Sequence, residues 1–271
     1  MQLRQSGRPR DAKVFEEEPI DTELKEKFQS LWTKYFDGAQ LPICLFYSEN
    51  EIYEQLLRPL KGRMCVIGQL ANVFRGEDLA FVNETVGCPG GRRYLGFNHD
   101  LMPNFELFLS CGIPGQLEGE RYKKTTELVR EFIKDSPVFS APARYAVFKR
   151  WDRLAGGEIP EVVIFFSPPD VLSGLFTLAG FDEKGRNSVI APFGAGCATI
   201  AQYPLLEAKS PEQRAVLGMF DVSARPFVPA EVLSFAVPMV KFVRMIGNMD
   251  ESFLITESWA KVKGRLMRPI A

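Results

Sequence analysis

Short apolar runs alternate along the chain with segments whose apolar side chains recur at helical spacing. Residues 21–36, DTELKEKFQSLWTKYF, predict an amphipathic helix with Asp21 at its capping position. Residues 42–48, PICLFYS, are apolar and aromatic, which is typical of a buried strand, and the next predicted helix ends near Pro59. The chain is therefore expected to open with a helix, a strand and a second helix.

The middle of the chain continues this alternation. A helix is predicted from Cys65 to about Gly76, followed by a strand over residues 79–84 that runs into a turn at Cys88. The remaining predicted elements of this region are a loop at 98–119, a charged surface helix at 120–135 and a strand at 143–151.

The later part of the chain has a similar order of elements. Residues 161–181 predict a strand followed by a helix that opens with prolines and is capped by Asp170. A glycine turn then leads into a helix with Cys197 in its first turn. The remaining predictions are strands at 215–221 and 232–238 and two helices within 239–267.

This mixture of elements predicts a mixed α/β fold, with a mixed sheet as its core and helices flanking the sheet. A chain of 271 residues is long enough to bury a sizeable core. Residues 1–20 mix charge, glycine and proline and are predicted to form a flexible N-terminal arm. We expect residues 21–271 to form a single globular domain.

Two parts of the chain, residues 41–97 and 161–237, resemble each other in the order of their elements. Residues 43–48 match residues 162–167 with a constant offset of 119 (167 minus 48). Each part then continues with a helix, a cysteine-led helix, a strand and a turn. We therefore hypothesise an internal duplication of a strand-helix-helix-strand unit.

The duplication hypothesis aligns four turns that carry sulfur. After an insertion in the second half, Cys65 falls opposite Cys197 and Cys88 falls opposite Met219. The two intervals nearly agree, at 23 residues (88 minus 65) and 22 residues (219 minus 197). A pseudo-twofold axis would bring these four turns together, so a site is expected at the junction of the halves.

Charge and hydropathy exclude several classes of function. The formal net charge is −1, so attraction to nucleic acid or to an anionic membrane surface is not expected. The apolar runs are interrupted well before the roughly 20 residues that span a bilayer, and no apolar signal-peptide core follows the basic start. We expect a cytoplasmic protein whose five cysteines are free thiols or ligands rather than disulfides.

Five segments resemble a family of unknown function. They are CVIGQ at 65–69, GCPGGRRYLG at 87–96, EVVIF at 161–165, GCA at 196–198 and SAR at 223–225. Together they resemble domain-of-unknown-function family 169 (DUF169) of archaea and bacteria. The resemblance implies a cytoplasmic protein without an assigned reaction, whose cysteines suggest metal or iron–sulfur binding. Many members have Gly-Cys where this chain has Gly218-Met219.

The first functional hypothesis is a cofactor or metal held by Cys65, Cys88 and Cys197, with Met219 as a weak soft donor. The positive end of a helix favours the thiolate of a cysteine at its N-terminus. Thiolates favour thiophilic metals and iron–sulfur clusters. Paired Cys-x-x-Cys spacings are absent from the sequence. Simple packing is the alternative for each of these cysteines, and for Cys44 and Cys111 packing is the prediction.

The second hypothesis is a metal-free binding module or sensor for a small anion. Glycine turns that open helices offer backbone N–H groups to phosphates and carboxylates, and arginines can clamp such groups. The candidate residues are Gly90, Gly91, Arg92, Arg93, Gly194, Gly196 and Arg225. The phosphate-binding and nucleophile-elbow motifs of known enzymes are absent from the sequence, so it leaves open whether the protein is an enzyme.

Several polar residues flank the candidate turns. His99 is the only histidine and is a candidate general base beside Cys88, although a loop histidine is more often a surface residue. Asn83, Glu84 and Asp221 could orient a ligand or stabilise the turns. Oligomeric state is not predicted.

Overall fold

A computed structural model describes residues 22–59 and 64–266 of the chain. The predicted arm at 1–20 and the predicted cap Asp21 lie outside these residues. No helix in the described ranges is both long enough and apolar enough to span a membrane.

A seven-stranded mixed sheet forms the centre of the fold, as the sequence predicted. The strands are β1 (Ile43–Ser48), β2 (Leu79–Phe81), β3 (Tyr145–Arg150), β4 (Val162–Ser167), β5 (Val189–Ile190), β6 (Ala215–Gly218) and β7 (Leu233–Pro238). Their order across the sheet is β2-β3-β1-β4-β7-β6-β5. Neighbouring strands are antiparallel except β5 and β6, which are parallel.

Helices cover both faces of the sheet. They are α1 (Thr22–Phe36), α2 (Val66–Phe74), α3 (Pro89–Tyr94), α4 (Phe105–Phe108), α5 (Thr126–Asp135), α6 (Pro169–Ala179), α7 (Tyr203–Ala208), α8 (Met239–Asn248) and α9 (Glu257–Leu266). A π-helical turn, Ala198–Gln202, leads directly into α7.

Alternation along the central strands divides the core into two layers. Cys44 and Phe46 of β1 contribute to the cluster that includes residues of α1, α6, α8 and α9. Ile43 and Leu45 contribute to the opposite cluster, with residues of α2, the π-helical turn and α7. Successive strand side chains point to opposite faces, so the apolar run of β1 is buried on both sides. The second cluster lies under the cysteine-bearing turns.

The strand order has twofold character. Strands β1 and β4 are central neighbours, with β3 and β7 outside them and β2 and β6 next. The register preserves this relation: Ser48 lies opposite Tyr145, and Ser167 lies opposite Leu233. The first members of these pairs differ by 119 (167 minus 48) and the second by 88 (233 minus 145). This regularity agrees with the duplication hypothesis.

The register corrects one part of the predicted alignment. Phe81 of β2 lies opposite Ala146, and Gly218 of β6 lies opposite Ser234, which corresponds to Ala146 by the offset of 88 (234 minus 146). Gly218 therefore corresponds to Phe81 rather than to Gly87. Met219 corresponds to the residue after Phe81, so its alignment with Cys88 was wrong.

Several local predictions also need correction. The helix predicted before Pro59 is a 3-10 helix, Glu51–Leu56, and the helix predicted from residue 120 begins at Thr126, after Thr125 caps it. Pro168, not Asp170, occupies the N-cap of α6. Pro169 follows at the first helical position, where its fixed φ suits the helix and its missing N–H leaves one donor fewer to be paired.

The cysteines outside the predicted site differ from each other. Cys44 is fully buried, which confirms its assignment to the core. Cys111 is exposed, so its predicted packing role was wrong. It lies in a loop that turns at Gly112, where φ is +72°, and this turn leaves its side chain at the surface.

Candidate functional site

Three cysteine-bearing segments meet on the face of the sheet covered by α2, α3 and the π-helical turn. Gly196 lies at a point of close packing between the two halves. A side-chain carbon at this position would lie 3.3 Å from Ile67 of α2, 3.1 Å from Ala224 and 3.2 Å from the sulfur of Met219. All three distances are shorter than ordinary van der Waals contact, so a side chain at residue 196 would require its neighbours to shift by a few tenths of an ångström.

Cys65 is the N-cap residue of α2 and is half-buried. Burial raises the pKa of its thiol, and the N–H groups of Gly68 and Ile67 oppose this shift. The charges of Cys88 and Asp221 raise the pKa further. Val66, the residue after Cys65, and the Cys88 sulfur both lie within 2.9 Å of where a side-chain carbon on Gly91 would stand, so the segments of the two cysteines are in contact there.

Cys88 is the N-cap of the short helix α3 rather than part of a turn after a strand. Pro89 occupies the first helical position, which suits its fixed φ. The sulfur of Cys88 accepts a hydrogen bond from the N–H of Gly91 at 3.2 Å. Any side chain on Gly91 would meet Val66, Val86 and the Cys88 sulfur within 2.9 Å. Gly91 therefore allows α3 to approach α2.

Cys197 immediately precedes the π-helical turn and is only 5% exposed. Burial raises the pKa of its thiol well above the ordinary value, and the charges of Cys88, Cys65 and Asp221 add to the shift. Single π-helical turns are frequent at functional sites. The turn places Cys197 at the buried end of the site, whereas Cys65 and Cys88 are closer to solvent.

Met219 adopts an unusual backbone conformation at the end of β6. Its φ is +68°, although it is not glycine, and its side chain is fully buried. This region costs an L-residue about 1–2 kcal/mol. The N–H of Met219 donates to the Thr199 hydroxyl at 3.4 Å. Its sulfur lies beside Gly196, next to Cys197, so the structure brings the thioether to the edge of the cysteine site.

Asp221 connects three segments around the cysteines. Its Oδ2 accepts from the N–H of Gly196 at 3.0 Å. Its Oδ1 accepts from the Tyr122 hydroxyl at 3.2 Å and from the N–H and hydroxyl of Ser223 at 3.1 and 2.8 Å. The carboxylate therefore fixes the turn before Cys197 and attaches the segment of Tyr122 to it.

Aromatic side chains surround the cysteines and Asp221. Burial raises the pKa of Tyr94 to about 12, and Cys197, Asp221 and Tyr203 contribute to this shift. The ring of Phe227 lies beside Gly68 in the first turn of α2, 3.1 Å from where a side-chain carbon would stand. Both tyrosines are half-buried, whereas Phe227 is exposed. Aromatic rings therefore lie beside the segments that carry the cysteines.

Each of the predicted anion clamps donates at least one hydrogen bond to a backbone carbonyl. Arg92 donates to the carbonyl of Val86 at 2.9 Å, and Arg93 donates to the carbonyl of His99. Arg225 donates to three carbonyls of its own loop, those of Pro229, Ala230 and Val232. These bonds fix the local loops, and none of the three arginines pairs with a carboxylate within the described ranges.

The four predicted glycines have different roles. The N–H groups of Gly91 and Gly196 already donate to Cys88 and Asp221. Gly194 lies beside the ring of Tyr203, and Gly90 lies at ordinary contact distance from the ring of Tyr94. Gly91 and Gly196 therefore use their N–H groups in hydrogen bonds within the protein.

Among the described residues, no hydrogen bond joins the remaining polar candidates to a thiol. The imidazole of His99 is exposed and lies 3.0 Å from the Ser140 hydroxyl. Glu84 is exposed, and the buried Oδ1 of Asn83 has no hydrogen-bond partner among the described residues. No contact between Cys88 and His99 supports the predicted acid–base pair.

The donor side chains of the described residues do not form a preformed metal site. Within residues 22–59 and 64–266, no group of three or more histidine, cysteine, aspartate or glutamate side chains is arranged as it stands to hold a metal ion. The sequence indicated the three cysteines but did not reveal the central position of Asp221 or the contribution of Tyr122. Tyr122 lies 99 residues before Asp221 in the chain, and local patterns cannot predict such a contact.

Comparison with known proteins gives one match. The profile of a protein family described as "Uncharacterised ArCR" matches residues 38–248, which include all three cysteines and Asp221. No curated protein and no solved structure matches the chain significantly.

Proposed function

The chain belongs to the DUF169 family, and we propose that it binds a thiophilic metal ion or an iron–sulfur cluster at Cys65, Cys88 and Cys197. The observation that carries this proposal is the convergence of three thiols from both halves beside the Asp221 carboxylate. Besides burial, the charges of Cys88 and Asp221 raise the pKa of the Cys65 thiol, and the charges of Cys88, Cys65 and Asp221 raise that of the Cys197 thiol.

The donor set fits a soft cation. Besides burial, the charges of other cysteines and of Asp221 raise the pKa values of Cys65 and Cys197, so a thiolate at either position is repelled by these neighbours. A bound cation would convert this repulsion into attraction, and metal coordination deprotonates a thiol. An anion placed among the three thiols would meet the same negative charges, and Arg92 and Arg225 already donate to backbone carbonyls.

Some residues would hold the metal, and others would position those ligands. Cys65 and Cys88 are the accessible donors, and Cys197 closes the buried side. Asp221 holds the Cys197 turn through Gly196 and does not need to be a ligand. Met219 contributes a soft thioether at the edge of the site. When bound, a metal or cluster would supply Lewis-acid or electron-transfer chemistry.

Free thiols are consistent with a reducing compartment. The five cysteines are all unpaired with one another. Disulfides are rare in the cytoplasm, and thiolate metal sites persist there. We propose a cytoplasmic location on this basis.

The test begins with elemental analysis and a visible absorption spectrum of protein purified without oxygen. We expect near-stoichiometric metal, or Co²⁺ binding with a thiolate-to-cobalt absorption band. Cys65→Ser, Cys88→Ser and Cys197→Ser should each reduce the metal content or the band. Cys111→Ser is the matched control, because Cys111 is exposed and outside the site. Metal-free protein that gives no cobalt band would refute the proposal.

A further inference from the structure

Lys123 has an ammonium group without a charged partner inside the described chain. Its Nζ lies 4.6 Å from the ring centre of Phe193 and 5.0 Å from that of Phe132. Among the described residues, no carboxylate lies within 4.0 Å of this nitrogen, and no hydrogen-bond acceptor is paired with it. The side chain is half-buried, so it is held in position by the rings.

The ammonium is linked to the Asp221 side of the cysteine site through Tyr122 and Phe193. Tyr122, the preceding residue, donates to Asp221, and its ring packs edge-to-face on Phe193 with centres 6.2 Å apart. Phe193 is four residues before Cys197 in the turn that Asp221 fixes. Lys123 is therefore connected to the thiol site by two contacts.

Exposed apolar side chains also occur on the two segments that Asp221 joins, the segment before Cys197 and its own segment. Phe193 is 50% exposed, and Phe220 and Val222, the two neighbours of Asp221, are 55% and 68% exposed. Exposed apolar groups beside an aligned polar group are typical of a ligand site. One face of Phe193 is covered by Lys123, and half of the ring remains open to solvent.

We propose that Lys123 and Phe193 bind an organic anion with an apolar body, such as an aryl or alkyl carboxylate or phosphate ester, at the edge of the cysteine site. The ammonium would receive the anionic group, and the apolar body would lie on Phe193. The inference rests on the proposed function, since it names the organic ligand class of the same site.

Asp221 does not prevent this binding. Its two oxygens accept four hydrogen bonds from Gly196, Tyr122 and Ser223, so its charge is already solvated by the protein. The Lys123 ammonium is the group that lacks such a partner. A ligand anion therefore satisfies a donor that the described residues leave without one.

The first experiment uses 8-anilinonaphthalene-1-sulfonate, an aromatic anion whose fluorescence rises on binding, with the full chain as purified. Benzoate and phenyl phosphate should displace it, whereas benzyl alcohol and benzylamine should not. Lys123→Gln and Lys123→Met should weaken binding of the dye about tenfold or more, because a charge-assisted hydrogen bond is lost. Lys124→Gln removes an exposed neighbouring charge and should leave binding unchanged.

The outcomes separate this inference from metal binding. Loss of dye binding in Lys123→Met with unchanged metal content supports both the anion site and the metal site. Lys123-dependent dye binding by a protein that takes up no metal would refute the proposed metal function and leave the anion site in place. Equal dye affinity in wild type, Lys123→Gln and Lys124→Gln, or displacement by benzylamine as effective as by benzoate, would overturn the anion site.

Discussion

Cys44 of β1 lies directly opposite Val163 of β4 at the centre of the sheet. The difference between the two numbers, 163 minus 44, is 119, the offset that relates the two halves of the sequence. Each residue therefore pairs with its own counterpart, and the flanking pairs Ile43–Ile164 and Leu45–Val162 exchange under the same offset. This is the register that a twofold axis between the two strands requires. Common ancestry of the halves stays a prediction.

The symmetric position assigns Cys44 to the core and makes it a control for the thiol site. Cys44 and Val163 are both fully buried in the same apolar cluster. We expect Cys44→Ala to reduce the free energy of unfolding by about 1 kcal/mol and Val163→Ala by about 2 kcal/mol, since the second removes two methyl groups. Urea denaturation measures both, and elemental analysis should find the metal content unchanged. A Cys44→Ala protein without metal would contradict this division of roles.

The sequence predicted the central strands because each is a short, almost uniformly apolar run with proline at one end. It also located Cys65 and Cys197 at helix starts. It failed at Cys88, because α3 is too short to show helical periodicity, and at Met219, because strand register depends on partners distant in the chain. The sequence did not predict the contacts of Asp221, Tyr122 and Lys123, since these contacts join segments about 70 to 100 residues apart.

Gly218 has no room for a side chain, and its substitution should be severe. A side-chain carbon there would lie 2.3 Å from Thr199 and 2.9 Å from the Ser234 hydroxyl. We expect Gly218→Ala to destabilise the protein by about 2–3 kcal/mol and to displace the π-helical turn.

Gly247 of α8 provides the matched control for Gly218. It has open space around it, so Gly247→Ala should stabilise the protein by about 0.5–1 kcal/mol because alanine favours the helix. Thermal denaturation compares the two variants. Equal effects of the two substitutions would contradict the close packing at Gly218.

The bond between Tyr122 and Asp221 should couple the segment before α5 to the cysteine turn. Asp221→Asn replaces one accepting oxygen with an NH₂ group, so we expect a loss of about 1–3 kcal/mol. Tyr122→Phe should cost about 1 kcal/mol. The double variant should lose less than the sum, because the two changes remove one shared bond. Asp182→Asn, at an exposed position, is the control. Strict additivity would indicate that the two groups do not interact in solution.

The raised thiol pKa of Cys197 should make the metal-free protein less stable at alkaline pH. The unfolded thiol ionises near its ordinary pKa of 9.0, whereas the folded thiol ionises only at higher pH because burial disfavours its charge. Its contribution is therefore fully present below about pH 9 and is lost as pH rises towards the folded pKa. Cys197→Ala should reduce the fall in unfolding free energy between about pH 8 and 10.5. The unfolding free energy of Cys111→Ala should fall over this range as that of the wild type does. An identical fall in Cys197→Ala would show that the Cys197 thiol is not the source of the effect.

The same shifts predict that metal affinity increases with pH. Burial raises the pKa values of Cys65 and Cys197, so both thiols are protonated at neutral pH and must release their protons to coordinate a metal. Below the raised pKa values, affinity should rise about tenfold per pH unit for every thiol that ionises. Competition titrations with Co²⁺ in the presence of a chelator measure the slope, and a pH indicator counts the protons released. Cys88→Ser should lower the affinity while retaining the proton release of Cys65 and Cys197. Because the released protons come from the thiols themselves, binding without proton release would show that the metal is held by groups other than the buried cysteines.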